Sequence, residues 1–316
     1  MCYMFPTHMK TVRLLKEQFP FLLKQMEKAP DYLDCAGALP PSDEYTFLCV
    51  IGSRHHSSYG RDACITLLSG LKNYPIVIVS GLAIGIDSLA HEEALKLGMK
   101  VIAFPGSGLS KKVLYPRTHL KLAERIVASG NTLLSSFDKD QRGDKWTFPV
   151  RNQLMAGISH AVLIIEGKKG SGTLLTANYA LELNRQVLVV PGSIFSELSH
   201  GPHSLCKEGA TPVTTSKDIL EALGFAVELA TNTGDKNSSA HPGTHPDTQK
   251  QLAFSTLQLS PEQKRIVHEL QFTPLSSTDL IEKTLLPATT FNTIMSQLEL
   301  EGMVLEQDGI YRLRRG

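Results

Sequence analysis

Little in this sequence is extreme, and each shortage removes a class of protein. Lysine and arginine number 32 against 31 acidic residues, a formal net charge of +1. Without a global charge excess, any basic footprint has to be local. The five cysteines, Cys2, Cys35, Cys49, Cys64 and Cys206, lie without CxxC spacing. That argues against a zinc site or a disulfide scaffold and for reduced core thiols. No secretory leader is legible, and no apolar run reaches the roughly 18 residues of a membrane helix. A cytoplasmic protein with no membrane partner is expected. His241 and His245 lie in a linker-like stretch with no CxxC pair to complete a ligand set, so no metal and no cofactor are assigned.

Two motif shortages matter more. In IIEGKKGSGTLLTANYA, Gly167 and Gly172 are spaced as in the ATPase loop G-x-x-x-x-G-K-[ST], but Thr173 stands where the lysine belongs. Without that cation nothing reaches the β- and γ-phosphates, which disfavours an NTPase. No G-x-G-x-x-G follows the first strand, which disfavours a dinucleotide-dependent dehydrogenase.

What is present is alternation. Nearly continuous apolar runs at 47–51, 76–79, 100–104, 132–134, 161–165 and 187–190 read as parallel strands buried on both faces. Helical spacing at 60–72, 87–97, 120–129 and 173–184 completes a doubly wound α/β domain over 46–225. Ahead of it, Val12, Leu15, Phe19, Leu22, Leu23 and Met26 recur at helical spacing. They predict one amphipathic helix over 11–28, within an N-terminal segment of 1–45. Residues 226–258 lose periodicity and read as a flexible linker. Three short helices (261–270, 276–284, 287–301) and a hairpin turning at Asp308-Gly309 predict a small winged-helix domain over 259–316.

Ligands of such sheets bind beyond the carboxyl ends of the strands. The turns there are Gly52-Ser53-Arg54, Ser80 to Gly85 with Gly81 between, Gly106-Ser107, and the loop through Lys169, Gly170, Ser171, Gly172 and Thr173. Glycine admits close approach of an oxyanion, and the next helix offers amides and a positive dipole end. Four such corners on one rim favour an anionic ligand. Phosphate held without hydrolysis suggests a nucleic-acid backbone, or a nucleotide that is only bound. Arg54 could clamp a phosphate, Lys168 and Lys169 would deepen a positive groove, and Lys111, Lys112, Arg117 and Lys121 flank YPRTH. Arg142, Lys145 and Arg151 interleave with Trp146 and Phe148, a mixture that suits single strands. Trp146 fits equally a hydrophobic lid over the sheet.

Taken together, the segments VIGSR, VSGLAIGIDSLAHEEAL, FPGSGL, LYPRTHLKLAERI, FPVRNQLMAGIS, IIEGKKGSGTLLTANYALELNRQVLVVPG and SHGPHSLCKEGATPV resemble the DprA/Smf family of DNA-processing proteins. They are collinear and cover nearly all of residues 47–223. The resemblance implies a Rossmann-like domain that binds single-stranded DNA, dimerises, and loads the RecA recombinase in natural transformation; it implies a binding protein, not an enzyme. It carries family DNA contacts onto Gly52, Ser53 and Arg54 and onto the FPxRN segment with Arg151 and Asn152. Val150 and Gln153 stand where the family usually has basic residues. The third helix of the winged-helix region has no lysine or arginine and ends with Glu299 and Glu301, so protein contact is expected of it, not duplex reading. The runner-up is a nucleotide sensor, or a nucleoside-monophosphate hydrolase of the related LOG kind. That hydrolase motif needs a glutamate after its GxGT, and here Leu174-Leu175-Thr176 follow. Glu166 and Asp87 remain conceivable acids.

Overall fold

A computed structural model describes residues 10–226, 260–272, 275–300, 303–307 and 309–313. The chain divides into two compact units, Met1–Leu229 and Ala230–Gly316. The linker expected from residue 226 lies almost wholly outside the described residues.

The first unit runs β1 (Thr11–Leu15), α1 (Phe21–Lys24), β2 (Tyr32–Ala36), β3 (Thr46–Ile51), α2 (Ser58–Ser69), β4 (Ile76–Ser80), α3 (Ile86–Lys96) and β5 (Lys100–Ala103). It continues with α4 (Leu120–Ala128), β6 (Thr132–Ser135), α5 (Thr147–Ile158), β7 (Ala161–Ile164), α6 (Gly172–Glu182), β8 (Gln186–Val189), α7 (His200–Lys207), β9 (Thr211–Pro212) and α8 (Ser216–Ala222). Among the described residues, nine strands form one sheet in the order β1-β2-β6-β5-β4-β3-β7-β8-β9. From β6 to β9 every pairing is parallel; β2 joins β6, and β1 joins β2, antiparallel. Strand residues alternate between two cores. Leu48 and Val50 of β3 pack with α2, α3, α4 and α8, whereas Phe47, Cys49 and Ile51 pack with α1, α5, α6 and α7. Burial on both faces explains the uninterrupted apolar runs.

The helix expected over 11–28 does not form. Its first part is the edge strand β1, whose Val12 and Leu15 are 56% and 54% exposed. Pro20, with no backbone N–H to donate, separates a short 3-10 turn from the four-residue α1. Only Phe19, Leu22, Leu23 and Met26 of the apolar set are buried. Arg13 lies opposite Asp34 in the β1–β2 register and pairs with it at 2.9 Å.

Cys35, Cys49 and Cys64 are buried free thiols, and burial pushes Cys64 up to about 12. The second unit has α9 (Pro261–Phe272), β10 (Leu275–Ser276), α10 (Ser277–Thr284), α11 (Ala288–Leu300), β11 (Val304–Gln307) and β12 (Ile310–Leu313). Its sheet order is β10-β12-β11, over a core that includes Ile266, Leu280, Phe291, Leu298 and Val304. Among the described residues no helix is long and apolar enough to cross a membrane.

Candidate nucleic-acid interface

Strand order reverses direction around β3: β4, β5 and β6 follow on one side, β7 and β8 on the other. The loops after β3, β4 and β7 therefore meet beyond the strand ends, at the switch point where α/β sheets bind ligands. The Ile86 amide donates to the Ser53 carbonyl at 3.2 Å. Gly85 has φ +93°, and a Cβ there would lie 2.3 Å from the Ser53 oxygen. On the other side, Thr173 Oγ1 donates to the Gly52 carbonyl at 3.3 Å. The β3 loop is thus clasped between the β4 loop and the start of α6.

What this clasp leaves open is small and basic. Gly52 and Ser53 are half-buried, and Arg54 is exposed. The Arg54 guanidinium lies over the Phe148 ring, 5.6 Å from its centroid, and forms no ion pair among the described residues. A cation over an aromatic face holds its orientation without losing its charge. Across the Thr173–Gly52 contact, Lys169, Gly170 and Gly172 are exposed, and a Cβ on either glycine would meet nothing within 4 Å. Ser171 occupies the N-cap of α6, yet its hydroxyl makes no hydrogen bond. The positive end of that helix consequently has no capping side chain, the condition under which helix termini take anions. Lys168, by contrast, is tied to Glu197 at 2.6 Å.

Other residues expected at the site support it from beneath. Arg151 is buried, 3.7 Å from the equally buried Asp87, and donates to the Phe104 carbonyl at 3.2 Å. Asp87 in turn accepts from the Gly81 amide at 3.2 Å. Burial raises the Asp87 carboxyl above its ordinary value, and the Arg151 charge opposes that shift. A Cβ on Gly81 would fall 1.3 Å from Arg151 Nη1, so glycine here makes room for the strut, not for a ligand. Ser80 is buried and donates to the Val50 carbonyl at 2.6 Å. Asn152 is buried, its Nδ2 donating to the Gly172 carbonyl at 3.3 Å.

The corner after β5 is closed. Phe148 covers Gly106, where a Cβ would meet its ring at 2.5 Å, and Thr147 Oγ1 donates to the Gly106 carbonyl at 2.6 Å. Ser107 is buried and accepts from the Tyr115 amide at 3.0 Å. Arg117 is exposed, but its Nη1 donates to the Lys111 carbonyl at 2.6 Å, and Lys111 pairs with Glu124. Of the anticipated set, Gly52, Ser53, Arg54, Lys169, Gly170, Ser171 and Gly172 keep some exposure, although the Ser171 hydroxyl itself is buried. Ser80, Gly81, Gly85, Gly106, Ser107, Arg151, Asn152 and Thr173 are buried.

Both conceivable acids are engaged elsewhere. Glu166 is buried and accepts from the Ser57 amide at 2.9 Å and from the Ser57 hydroxyl at 2.5 Å, at the start of α2. Asp87 is the partner of Arg151, a role that sequence spacing did not reveal. The one available signal was a carboxylate inside the otherwise apolar AIGIDSLA, which needs a buried counter-charge. Among the described residues no cluster of three or more His, Cys, Asp or Glu could hold a metal ion.

A family model described as DNA recombination-mediator protein A matches residues 10–224, and one for the DprA winged helix domain matches residues 250–309. The chain belongs to the DprA/Smf family. DNA processing protein DprA of Streptococcus pneumoniae is 38% identical over 212 residues, 67% of this chain and 73% of its own. That of Bacillus subtilis is 34% identical over 213 residues, 67% and 71% respectively. Protein Smf of Escherichia coli is 41% identical over 180 residues, which span 57% of this chain and 48% of that one. The X-ray structure of the S. pneumoniae protein superimposes with a TM-score of 0.63 at 36% identity, over 69% of this chain and 76% of the other. DNA processing protein A of Helicobacter pylori, solved to describe its single-stranded DNA binding mode, matches with a TM-score of 0.61 at 27% identity. That match covers 68% of this chain and 96% of the H. pylori chain.

Proposed function

We propose that the open corner formed by residues 52–54 and 169–172 grips the sugar-phosphate chain of single-stranded DNA without cutting it. The observation that carries this reading is Arg54: exposed, in no ion pair among the described residues, oriented on Phe148, and carried by the loop whose Gly52 carbonyl accepts from Thr173 in the uncapped first turn of α6. Family membership and the H. pylori relative support the choice of DNA strand over free nucleotide. The engagement of Glu166 with Ser57 weighs against the hydrolase reading. On this account the protein holds incoming single strands, works as a homodimer through its Rossmann-like domain, and delivers the strand to RecA in transformation.

Fluorescence anisotropy with oligo-dT against duplex, over a range of salt, tests the binding step. Single strands should bind more tightly. Arg54→Ala should weaken binding and lower the log–log salt slope by about 0.7, one phosphate contact on a single strand. Unaltered binding by that variant would remove the proposed corner. RecA filament formation on coated single strands, with and without the protein, tests the delivery step.

A further inference from the structure

The strands that carry the glycine rim have a second end. Parallel pairing brings the amino ends of β3, β4 and β5 together at the opposite end of the sheet from Arg54. The six residues of β3 alone set the two ends about 20 Å apart. Between these amino ends lies a cavity of about 360 Å³, whose walls include Tyr45, Lys72, Asn73, Tyr74, Met99 and Lys100.

Its charge is of one sign. Among the described residues no Asp or Glu lines it. Lys72 and Lys100 are exposed, and among the described residues neither forms an ion pair or a side-chain hydrogen bond. The helices that end here are capped by backbone amides, not by these ammoniums. The Leu68 carbonyl of α2 accepts from the Gly70 and Leu71 amides, and the Leu95 carbonyl of α3 accepts from Gly98. Two ammoniums on one cavity repel each other, and a dianion between them replaces that repulsion with two charge-assisted contacts. The rest of the wall is aromatic and apolar. Tyr45 packs against the core on one face of the sheet and Tyr74 against the other, where it meets Phe225 edge-on at 5.3 Å. Their hydroxyls and the Asn73 amide can each donate or accept, and Met99 adds a buried apolar surface. A phosphate ion alone needs a fraction of this volume, whereas cavities of about 300 Å³ and above hold ring-bearing ligands. We infer that this cavity is a second binding site, for a small molecule with a phosphate monoester on Lys72 and Lys100 and an aromatic body against the tyrosines. That is the chemistry of a nucleoside monophosphate. The site is independent of the DNA reading of the Arg54 corner.

Equilibrium dialysis of the full chain against 5′-AMP, adenosine and inorganic phosphate tests the site. AMP should bind one to one, and more tightly than either fragment. Lys72→Ala and Lys100→Ala, both at exposed positions, should each weaken AMP about tenfold, the scale of one charge-assisted hydrogen bond, and leave oligo-dT anisotropy unchanged. Arg54→Ala should do the reverse, weakening oligo-dT and sparing AMP. No uptake of AMP at millimolar concentration, or AMP bound no more tightly than phosphate or adenosine, overturns the site. AMP binding that survives both lysine changes, or that falls with Arg54→Ala, places the nucleotide elsewhere and overturns it equally.

Discussion

The corners after β5 and β7 carry the same kind of sequence, glycine and serine in Pro105-Gly106-Ser107 and in Gly170-Ser171-Gly172, and end in opposite states. At Gly106 the missing side chain is replaced by the Phe148 ring, and Ser107 turns inward to the backbone. At Gly170 and Gly172 the space stays empty, and the buried Ser171 hydroxyl between them has no partner among the described residues. Glycine marks a place where something comes close; whether that is the protein's own ring or a ligand depends on what the next element brings. Here Phe148 of α5 fills one corner and also carries the Arg54 guanidinium on its ring.

The sharpest way to break this contrast is Arg151→Ala. If Arg151 is a strut, the variant strands the Asp87 carboxylate in the core and costs about 3–5 kcal/mol in urea denaturation. A residue that clamped phosphate would instead lose DNA affinity with stability unchanged. A second probe asks whether the floor of the β4 corner is as dry as that pair requires. Burial pulls His91 down to about 3, against a weaker opposing pull from the Ser80 backbone. A histidine whose folded pKa lies below its unfolded one stays neutral in the fold while the unfolded chain takes up a proton. Stability should then fall as pH drops below about 6.5, by about 2 kcal/mol between pH 7 and pH 5. His160, held near 4 chiefly by burial, adds to the same window. Denaturation midpoints at the two pH values should show a smaller drop in His91→Leu.

The glycines themselves give the smaller effects. Gly106→Ala drives a methyl into Phe148 and should cost about 1–3 kcal/mol. Gly172→Ala meets open space at the first turn of α6 and should leave stability unchanged or raise it by about 0.5 kcal/mol. It should nevertheless weaken oligo-dT about tenfold by holding phosphate off the helix amides. Equal stability losses in the two variants would erase the distinction between the corners.

Most of the parallel sheet was legible because strands buried on both faces must be apolar throughout; 76–79 and 161–165 match β4 and β7 to within a residue. The edge was not. Residues 11–28 show helical spacing, but Pro20 interrupts it, and β2 hides its strand character behind Asp34, whose charge is met by Arg13 from the next strand. α5 escaped notice because Pro149 sits in its first turn and its inward face carries Arg151 and Asn152, which look like surface residues until Asp87 and Gly172 are seen beside them. The candidate site was legible as a rim and illegible as a choice among corners. That choice turns on long-range contacts, such as Phe148 on Gly106 and Thr173 on Gly52, that no local pattern encodes.

The central claim is most directly tested by a crystal structure of the protein with a short oligo-dT. Phosphates should lie within hydrogen-bond reach of the Arg54 guanidinium and of the backbone amides at residues 52–54 and 170–173, with the Gly106 corner still covered by Phe148. A strand seated elsewhere, with Arg54 free in solvent and the start of α6 unoccupied, would contradict the account.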